Sequence, residues 1–280
     1  MRILIAGAGG LVGTALRMAC ERDDVRSMRH GELDIADPVA AAAALDTVRP
    51  DVVVNAAAIA SPDTAAADPD AAFRANAVGP RVLGEACRRN DCVLVQLSTD
   101  YVFAGDGGAP YNEWSPTPVR FGGPVNEYGR SKLAGEIEVR AATPAHYIVR
   151  TSWVFGRGGG ASQKVIDEYV ATGTVRAWDD QWNVPTPVEA LAETIRRLAA
   201  SGRFGTYHVC GSGKLTRYEF AREVLELIGA DPECVVATSM ADEPKTAPRP
   251  VDTEMDTMAL RLNGFEEPGD WRPALRAALQ

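Results

Sequence analysis

The sequence predicts an α/β protein with a doubly wound parallel sheet and a smaller lobe in its carboxyl-terminal half. Short apolar runs alternate with helix-like segments over the first 155 residues, and a glycine-rich loop follows the first run. Past residue 155 the alternation is broken by stretches rich in glycine and proline. Strands that alternate with helices are typical of βαβ units, in which a parallel sheet carries helices on both faces.

Four short runs rich in Val, Ile and Leu are the predicted strands of the first half. They are nearly continuous in apolar residues, as expected of parallel strands that are buried on both faces. These runs lie at residues 2–8, 51–58, 92–99 and 147–152. The predicted helices lie between and after them, at about 11–22, 38–47, 69–89 and 127–141.

Residues 156–280 are expected to contribute mainly a substrate-binding lobe. Loops occur at 156–162, 179–187 and 243–253, and helical segments are predicted at about 187–200 and 216–228. Open α/β sheets bind ligands at the carboxyl ends of their strands, so a lobe placed there would close over the ligand. The run GTYHVCG, between the two helical segments, is strand-like and offers a way for the chain to return to the main sheet.

The stretch GAGGLVG places Gly7, Gly10 and Gly13 between the first strand and the first helix. In such loops the first glycine permits a tight turn, the second lets the backbone approach a pyrophosphate, and the third lets the helix pack closely. The helix N-terminus then faces the anion. A purely structural turn is the alternative, but the strand-loop-helix context favours a Rossmann-like NAD(P)-binding domain over residues 1–155.

In a dinucleotide-binding βαβ unit another strand follows the first helix, and the residues at its end indicate which dinucleotide is bound. In VRSMRHGELD, Arg26, Arg29 and His30 precede any carboxylate. A basic side chain there accommodates the extra phosphate of NADP, whereas an acidic one binds the ribose of NAD. We therefore expect NADPH, with a contact from Arg29; NADH is the alternative if these charges are merely solvated. Asp34 and Ile35 follow, and are expected to lie against the adenine.

Composition and charge argue against other classes of protein. The chain has 280 residues, 46% of them hydrophobic, and a formal net charge of -9, so it can build a sizeable core but lacks the dense basic surface that nucleic acid requires. No charged leader precedes the first strand and no apolar run is long enough to span a membrane, so we expect a cytoplasmic protein without a membrane partner. Five scattered cysteines and three histidines predict reduced thiols and no metal site.

A tyrosine and a lysine four positions apart are the candidate catalytic pair. The run LSTDYVFAG ends a strand with the hydroxyls of Ser98 and Thr99, and NEYGRSK follows with Tyr128 and Lys132. On a helix these two residues share a face. An ammonium beside a phenol is expected to lower the pKa of the phenol and to bind the nicotinamide ribose, while a strand-end hydroxyl fixes a substrate carbonyl. Such a pair also arises by chance, but the glycine loop upstream favours catalysis.

Taken together, GAGGLVG, LDIAD, VVNAAA, STDYVF, YGRSKLAGE and RTSWVFG resemble the extended short-chain dehydrogenase/reductase superfamily and, within it, the dTDP-4-dehydrorhamnose reductases. The resemblance extends over nearly the whole chain. It implies Tyr128 as proton donor, Lys132 as its partner and ribose ligand, and Thr99 as the hydroxyl that polarises a sugar carbonyl.

The resemblance also implies binding residues. The implied cofactor contacts are Gly10, Leu11, Val12, Asp34, Ile35, Ala56, Ala57 and Ala58, and the implied deoxysugar contacts are Asp100, Tyr101 and Trp153. Arg249, in APRP, is implied near the nucleotide diphosphate. Some members bind a divalent cation between subunits through glutamates; no such ligands are recognisable in this sequence, so no catalytic metal is expected.

The resulting expectation is NADPH-dependent reduction of the C4 keto group of a dTDP-4-keto-6-deoxyhexose, with dTDP-L-rhamnose for polysaccharide biosynthesis as the product. One alternative is another nucleotide-sugar 4-ketoreductase, epimerase or dehydratase of the superfamily, although a dehydratase usually needs a carboxylate pair after the strand-end hydroxyl. A second is a non-catalytic dinucleotide-binding regulatory subunit, because a fold does not fix a function. A homodimer is the assembly considered, since no feature of the sequence determines the oligomeric state.

Overall fold

The computed structural model describes residues 1–107, 110–118, 123–243 and 245–280. At its centre lies a six-stranded sheet in which every pair of neighbouring strands is parallel. Its strands are β1 (Arg2–Ala6), β2 (Asp24–Met28), β3 (Val52–Asn55), β4 (Val93–Thr99), β5 (His146–Thr151) and β10 (Gly205–His208). Across the sheet the order is β10-β5-β4-β3-β1-β2, so the strand order reverses between β1 and β3. The predicted doubly wound parallel sheet is confirmed.

Helices cover both faces of this sheet. The helices are α1 (Leu11–Ala19), α2 (Pro38–Val48), α3 (Pro62–Ala67), α4 (Pro69–Phe73), α5 (Gly79–Arg89), α6 (Glu127–Ala142), α7 (Gly160–Thr172), α8 (Val188–Ala199), α9 (Arg217–Leu227), α10 (Met258–Leu262) and α11 (Arg272–Leu279). Ile3 and Ile5 of β1 pack in one buried cluster with α1 and α8. Leu4, between them, packs in a second cluster with α2 and α5, because successive side chains of a strand point to opposite faces.

The predicted helix over 69–89 is interrupted. Helix α4 ends at Phe73, residues Arg74–Val78 form a π-helical turn, and α5 begins at Gly79. Helix α6 approaches this turn closely, since a side chain at Gly135 would place its Cβ 2.0 Å from the carbonyl oxygen of Asn76. Short π-helical turns inside helices are often found near functional sites.

In the part of the chain that the structure describes, the remaining strands form three short pairs outside the main sheet. These are β6 (Val154–Gly156) with β9 (Thr186–Pro187), β7 (Val175–Trp178) with β12 (Val235–Thr238), and β8 (Trp182–Asn183) with β11 (Leu215–Thr216). With α7, α9 and α11 they form the smaller lobe, whose core contains Phe220, Trp271 and Leu275. The strand-like run GTYHVCG supplies β10, which pairs with β5, so the chain does return to the main sheet.

Candidate active site

The glycine loop has the geometry that a dinucleotide pyrophosphate requires. Gly7 has a φ of +80°, and a Cβ on it would lie 2.4 Å from the backbone nitrogen of Ala57. A Cβ on Gly13 would lie 2.4 Å from the carbonyl oxygen of Gly7, so α1 can pack this closely only with glycine there. Gly10 caps α1 without a side-chain hydrogen bond, and a Cβ on it would meet only the Gly7 oxygen, at 3.7 Å. The exposed helix N-terminus therefore fits an anion.

Two neighbouring segments lie beside this loop. Leu11 and Val12 open α1, and the alanines 56–58 follow β3 directly. The backbone N–H of Ala56 donates to the carbonyl of Ala6 at 2.9 Å, and that of Ala57 donates to Asn55 Oδ1 at 3.1 Å. The structure thus brings the ends of β1 and β3 together at the point where the strand order reverses, which is where such sheets bind ligands.

Arg29, Asp34 and Ile35, which were predicted to bind the adenosine end of the cofactor, differ in their burial and in the groups that they contact. The Arg29 side chain packs over Gly9 and lines a cavity of about 720 Å³ with Arg26 and Ser27. Asp34 accepts a 2.6 Å hydrogen bond from Arg74, which holds the pKa of that carboxyl below its usual range. Ile35 is buried in the core against α5, with 5% of its surface exposed.

Tyr128 and Lys132 lie one turn apart near the start of α6. The helix begins there because the Asn126 side chain accepts the backbone N–H of Gly129 at 2.9 Å. Tyr128 is half-buried and faces the cleft, whereas the Lys132 ammonium donates a 2.6 Å hydrogen bond to the carbonyl of Leu97 in β4. The two side chains share one face of the helix, as predicted.

Burial dominates the protonation of both groups. It raises the pKa of Tyr128 well above its ordinary value, against the opposing effect of a hydrogen bond with Thr99. It also lowers the pKa of Lys132 to about 8, although the charge of Glu136 acts to raise it. The expected lowering of the Tyr128 pKa is therefore wrong for this state, because burial is the largest effect on that pKa and the Lys132 ammonium is bonded to Leu97. Tyr128 is a protonated phenol, the form that an acid needs.

A buried ion pair, not recognised from the sequence, lies behind Lys132. The Glu136 carboxylate accepts hydrogen bonds from Arg150 at 2.8 and 2.7 Å and from Ser98 at 2.7 Å. Burial acts to raise the pKa of Glu136, but the charge and hydrogen bonds of Arg150 lower it to about 2. Glu136 lies one turn after Lys132, so its place on the same helix face could be predicted from the sequence. Its ion-pair partner Arg150, on β5, could not be predicted.

The side chains predicted to contact substrate meet at a cleft of about 490 Å³ between the sheet and the lobe. Residues lining it include Thr99, Asp100, Tyr101, Tyr128, Trp153, Trp178, Arg217, Lys245 and Arg249. Trp153 has a φ of +34°, and the Arg217 guanidinium lies 4.3 Å from the centre of its ring. A side chain held at positive φ is uncommon and often belongs to a site. No sequence motif indicated that Trp178, Arg217 and Lys245 would line this cleft.

Arg249 is not a solvated loop arginine. Its side chain is 9% exposed and donates a 2.7 Å hydrogen bond to Asp63, next to the start of α3. It therefore ties the carboxyl-terminal segment to the first half of the chain at the edge of the cleft. Among the described residues, no cluster of three His, Cys, Asp or Glu could hold a metal ion. Within the same residues, no helix has both the length and the apolarity needed to cross a membrane.

Comparison with known proteins adds to this geometry. The family model described as RmlD substrate binding domain matches residues 1–280. The chain is 39% identical to the dTDP-4-dehydrorhamnose reductase of Streptomyces griseus, over 98% of this chain and 91% of that protein. It is 40% identical to a probable dTDP-4,6-dihydroxy-2-methyloxan-3-one 4-ketoreductase of Streptomyces antibioticus, over 99% and 94%.

Solved structures give the same grouping. The dTDP-4-dehydrorhamnose reductase of Clostridium acetobutylicum superposes with a TM-score of 0.94 at 30% identity, covering 100% of this chain and 98% of that one. That of Bacillus anthracis, solved in complex with NADP, gives a TM-score of 0.93 at 31% identity, covering 99% and 97%.

Proposed function

This chain belongs to the dTDP-4-dehydrorhamnose reductase family of the extended short-chain dehydrogenases/reductases, and we propose that it reduces the C4 keto group of a dTDP-4-keto-6-deoxyhexose with NADPH. The single observation that carries this function is that Tyr128 and the strand-end residue Thr99 line the same cleft at the carboxyl end of β4. dTDP-4-dehydro-L-rhamnose is the proposed substrate and dTDP-L-rhamnose the product.

NADPH supplies the hydride when it is bound; the residues of this chain bind, orient and donate a proton. Gly7, Gly10 and Gly13 form the loop proposed to hold the pyrophosphate, and Arg29 the cation proposed for the extra phosphate. Lys132, buried at the end of the sheet, is proposed to bind the nicotinamide ribose. As the carbonyl carbon gains a hydride, its oxygen becomes an alkoxide, and the protonated phenol of Tyr128 neutralises it.

The lobe side of the cleft is proposed to hold the nucleotide. The cations of Arg217, Lys245 and Arg249 line this side, and the indole of Trp178 lies beside two of them. Guanidinium and ammonium groups bind phosphate oxygens, and a flat aromatic surface suits a nucleobase. The strand-end residues Thr99, Asp100 and Tyr101, with Trp153, are left for the deoxysugar.

The proposed function is tested with dTDP-4-keto-6-deoxyglucose, supplied with and without a 3,5-epimerase. NADPH absorbance should fall when dTDP-4-keto-6-deoxyglucose is supplied together with a 3,5-epimerase, and dTDP-L-rhamnose should form. Absence of NADPH oxidation with either sugar would argue for a binding subunit and against the proposal. Equal binding of NADH and NADPH in a parallel titration would contradict the role of Arg29.

A second candidate is a 4-ketoreductase that acts on the sugar before epimerisation. It is favoured by one relative named dTDP-4-keto-6-deoxy-D-glucose reductase, from Streptomyces niveus, which is 39% identical over 82% of this chain. The same assay separates the two, because this enzyme would consume NADPH without the epimerase.

The assignment of cofactor binding and substrate binding to different parts of the chain is also a proposal. Residues 1–155 are assigned to cofactor binding and residues 156–280 mainly to the substrate. We place the enzyme in the cytoplasm, since its five cysteines are free thiols, four of them buried, as is usual in a reducing compartment. A homodimer is the proposed assembly.

A further inference from the structure

The loop that carries Arg249 is anchored to the first half of the chain through Asp63 and Asn126. Asp63, in the first turn of α3, accepts the backbone N–H of Ala247 at 3.0 Å and the guanidinium of Arg249 at 2.7 Å. The Asn126 side chain donates a 2.8 Å hydrogen bond to the carbonyl oxygen of Pro248. Asp63 therefore holds the charged end of Arg249, and Asn126 holds the backbone that leads into it.

The prolines on either side of Arg249 leave its backbone little freedom. Pro248 precedes it and Pro250 follows it. A proline ring fixes its own φ and disfavours the helical region for the residue before it. The carbonyl of Pro248 lies in the same peptide plane as the N–H of Arg249. The hydrogen bond from Asn126 therefore orients the plane from which Arg249 begins, and Pro250 restricts the rotation that is left.

The same asparagine begins the helix that carries the proposed proton donor. Asn126 is 3% exposed, and its Oδ1 accepts the backbone N–H of Gly129 at 2.9 Å. Because an amide oxygen cannot donate, the NH₂ group of this amide must face Pro248. Tyr128 lies between the capping residue and the N–H that it caps. One buried side chain thus joins the turn with the phenol to the loop with the guanidinium, and both of these groups line the cleft.

We propose that Asn126 is a positioning residue of the reduction, which fixes the Arg249 loop on the first turn of α6. This rests on the proposed function, in which Arg249 binds the phosphates of the nucleotide. A loop that is already ordered does not have to be immobilised when the ligand binds, so binding loses less free energy. Arg249 contacts the ligand, and Asn126 acts through Arg249.

Asn126→Ser separates this role from helix capping. Serine is as good an N-cap residue as asparagine, so α6 keeps its cap, but serine lacks the NH₂ group that holds Pro248. KM for the dTDP-sugar should rise roughly 3- to 10-fold, the scale of one lost hydrogen bond, with kcat nearly unchanged. The inhibition constant of dTDP, which has the diphosphate but no sugar, should rise by the same factor. Kd for NADPH should stay within about twofold of the wild-type value, because the glycine loop is unchanged.

A double variant tests whether Asn126 acts through Arg249. Asn126→Ser combined with Arg249→Met should bind dTDP no more weakly than Arg249→Met alone, because the loop then has no guanidinium to place. Asn90→Ser is the matched control. The Asn90 side chain donates to the carbonyl of Ala86 at 3.0 Å at the end of α5, and Asn90 does not line the cleft. Its KM for the sugar and its inhibition constant for dTDP should equal those of the wild type.

The outcomes distinguish this inference from the function on which it rests. A wild-type chain that oxidises no NADPH with the dTDP-sugar contradicts both. An active wild type whose dTDP inhibition constant is unchanged in Asn126→Ser, and in Asn126→Thr as a second variant with a cap, contradicts the positioning role alone. Effects that simply add in the double variant also overturn it. Weaker dTDP binding only in variants that have lost their thermal unfolding transition contradicts it as well, because Asn126 would then serve the fold alone.

Discussion

At the scale of single residues, the site is governed by the removal of charged and polar groups from water. Burial keeps the Tyr128 phenol protonated and lowers the pKa of Lys132 to about 8. The phenol of Tyr128 therefore carries the proton, and Lys132 is an ammonium that loses its charge as the pH rises through about 8. Neither state could be deduced from the Y-x-x-x-K spacing, because burial depends on the strands that surround the helix.

The Lys132 pKa predicts how activity depends on pH. A lysine whose pKa is lowered to about 8 loses its ammonium as pH rises through that value, and with it the proposed contact to the ribose. A profile of kcat/KM for NADPH against pH reports the cofactor-free enzyme and should therefore show an alkaline limb with an apparent pKa near 8. An alkaline limb that appears only near the ordinary lysine pKa of 10.5 would contradict it.

At the scale of elements, α6 is held to the sheet by Glu136 and Arg150. Both side chains are almost fully buried, and their two hydrogen bonds join the helix to β5 beneath the catalytic pair. Removal of one member of such a pair is costly, because the other is left as an uncompensated buried charge. The placement of Tyr128 on the sheet edge therefore depends on this ion pair.

Glu136→Gln tests the contribution of this pair to stability. It should lower the free energy of unfolding by about 3–5 kcal/mol, since Arg150 would remain charged and buried. Urea unfolding measures this change. Glu138→Gln, on the same helix, is the control: Glu138 faces Arg81 at 3.9 Å with both side chains exposed, so its loss should have little effect. Similar stabilities for the two variants would show that the buried pair contributes nothing.

The sequence predicted those elements whose signal is local. Strands β1, β3, β4 and β5 were recognised because buried parallel strands are continuous apolar runs, and α6 because a helix-like segment lies between two of these runs. The π-helical turn at Arg74–Val78 was missed, since no glycine or proline within it marks a break. The contact between Asn126 and Pro248 was missed for another reason: the two residues meet only after the chain has folded, at a separation of 122 residues.

At the scale of the whole molecule, the cleft exists because two parts of the chain meet at the carboxyl ends of the strands. Arg249 donates a hydrogen bond to Asp63 in the first half of the chain, and Thr253 donates one to Asp100. Helix α8 packs against the main sheet and strand β10 pairs with β5, so parts of the chain after residue 155 belong to the main sheet and not to the lobe. Substrate affinity should therefore depend on these bridges more than cofactor affinity does.

Arg249→Met should raise KM for the dTDP-sugar roughly tenfold or more, because hydrogen bonds to charged groups contribute about 1.5–3 kcal/mol. Kd for NADPH should stay near its wild-type value, since the glycine loop is unchanged. Arg222→Met is the control: Arg222, on α9, pairs with Glu233 and does not line the cleft. Equal effects of the two substitutions on KM would remove Arg249 from the substrate site.

The central claim is that the Tyr128 phenol donates the proton to the C4 oxygen. Its most direct test is turnover of Tyr128→Phe, measured as NADPH oxidation with the epimerised dTDP-4-keto sugar, beside Tyr169→Phe in α7 as the control. Loss of a general acid costs about 10²–10⁴-fold, so kcat of Tyr128→Phe should fall on that scale while Kd for NADPH is unchanged. Turnover near that of the wild type and of Tyr169→Phe would contradict the claim.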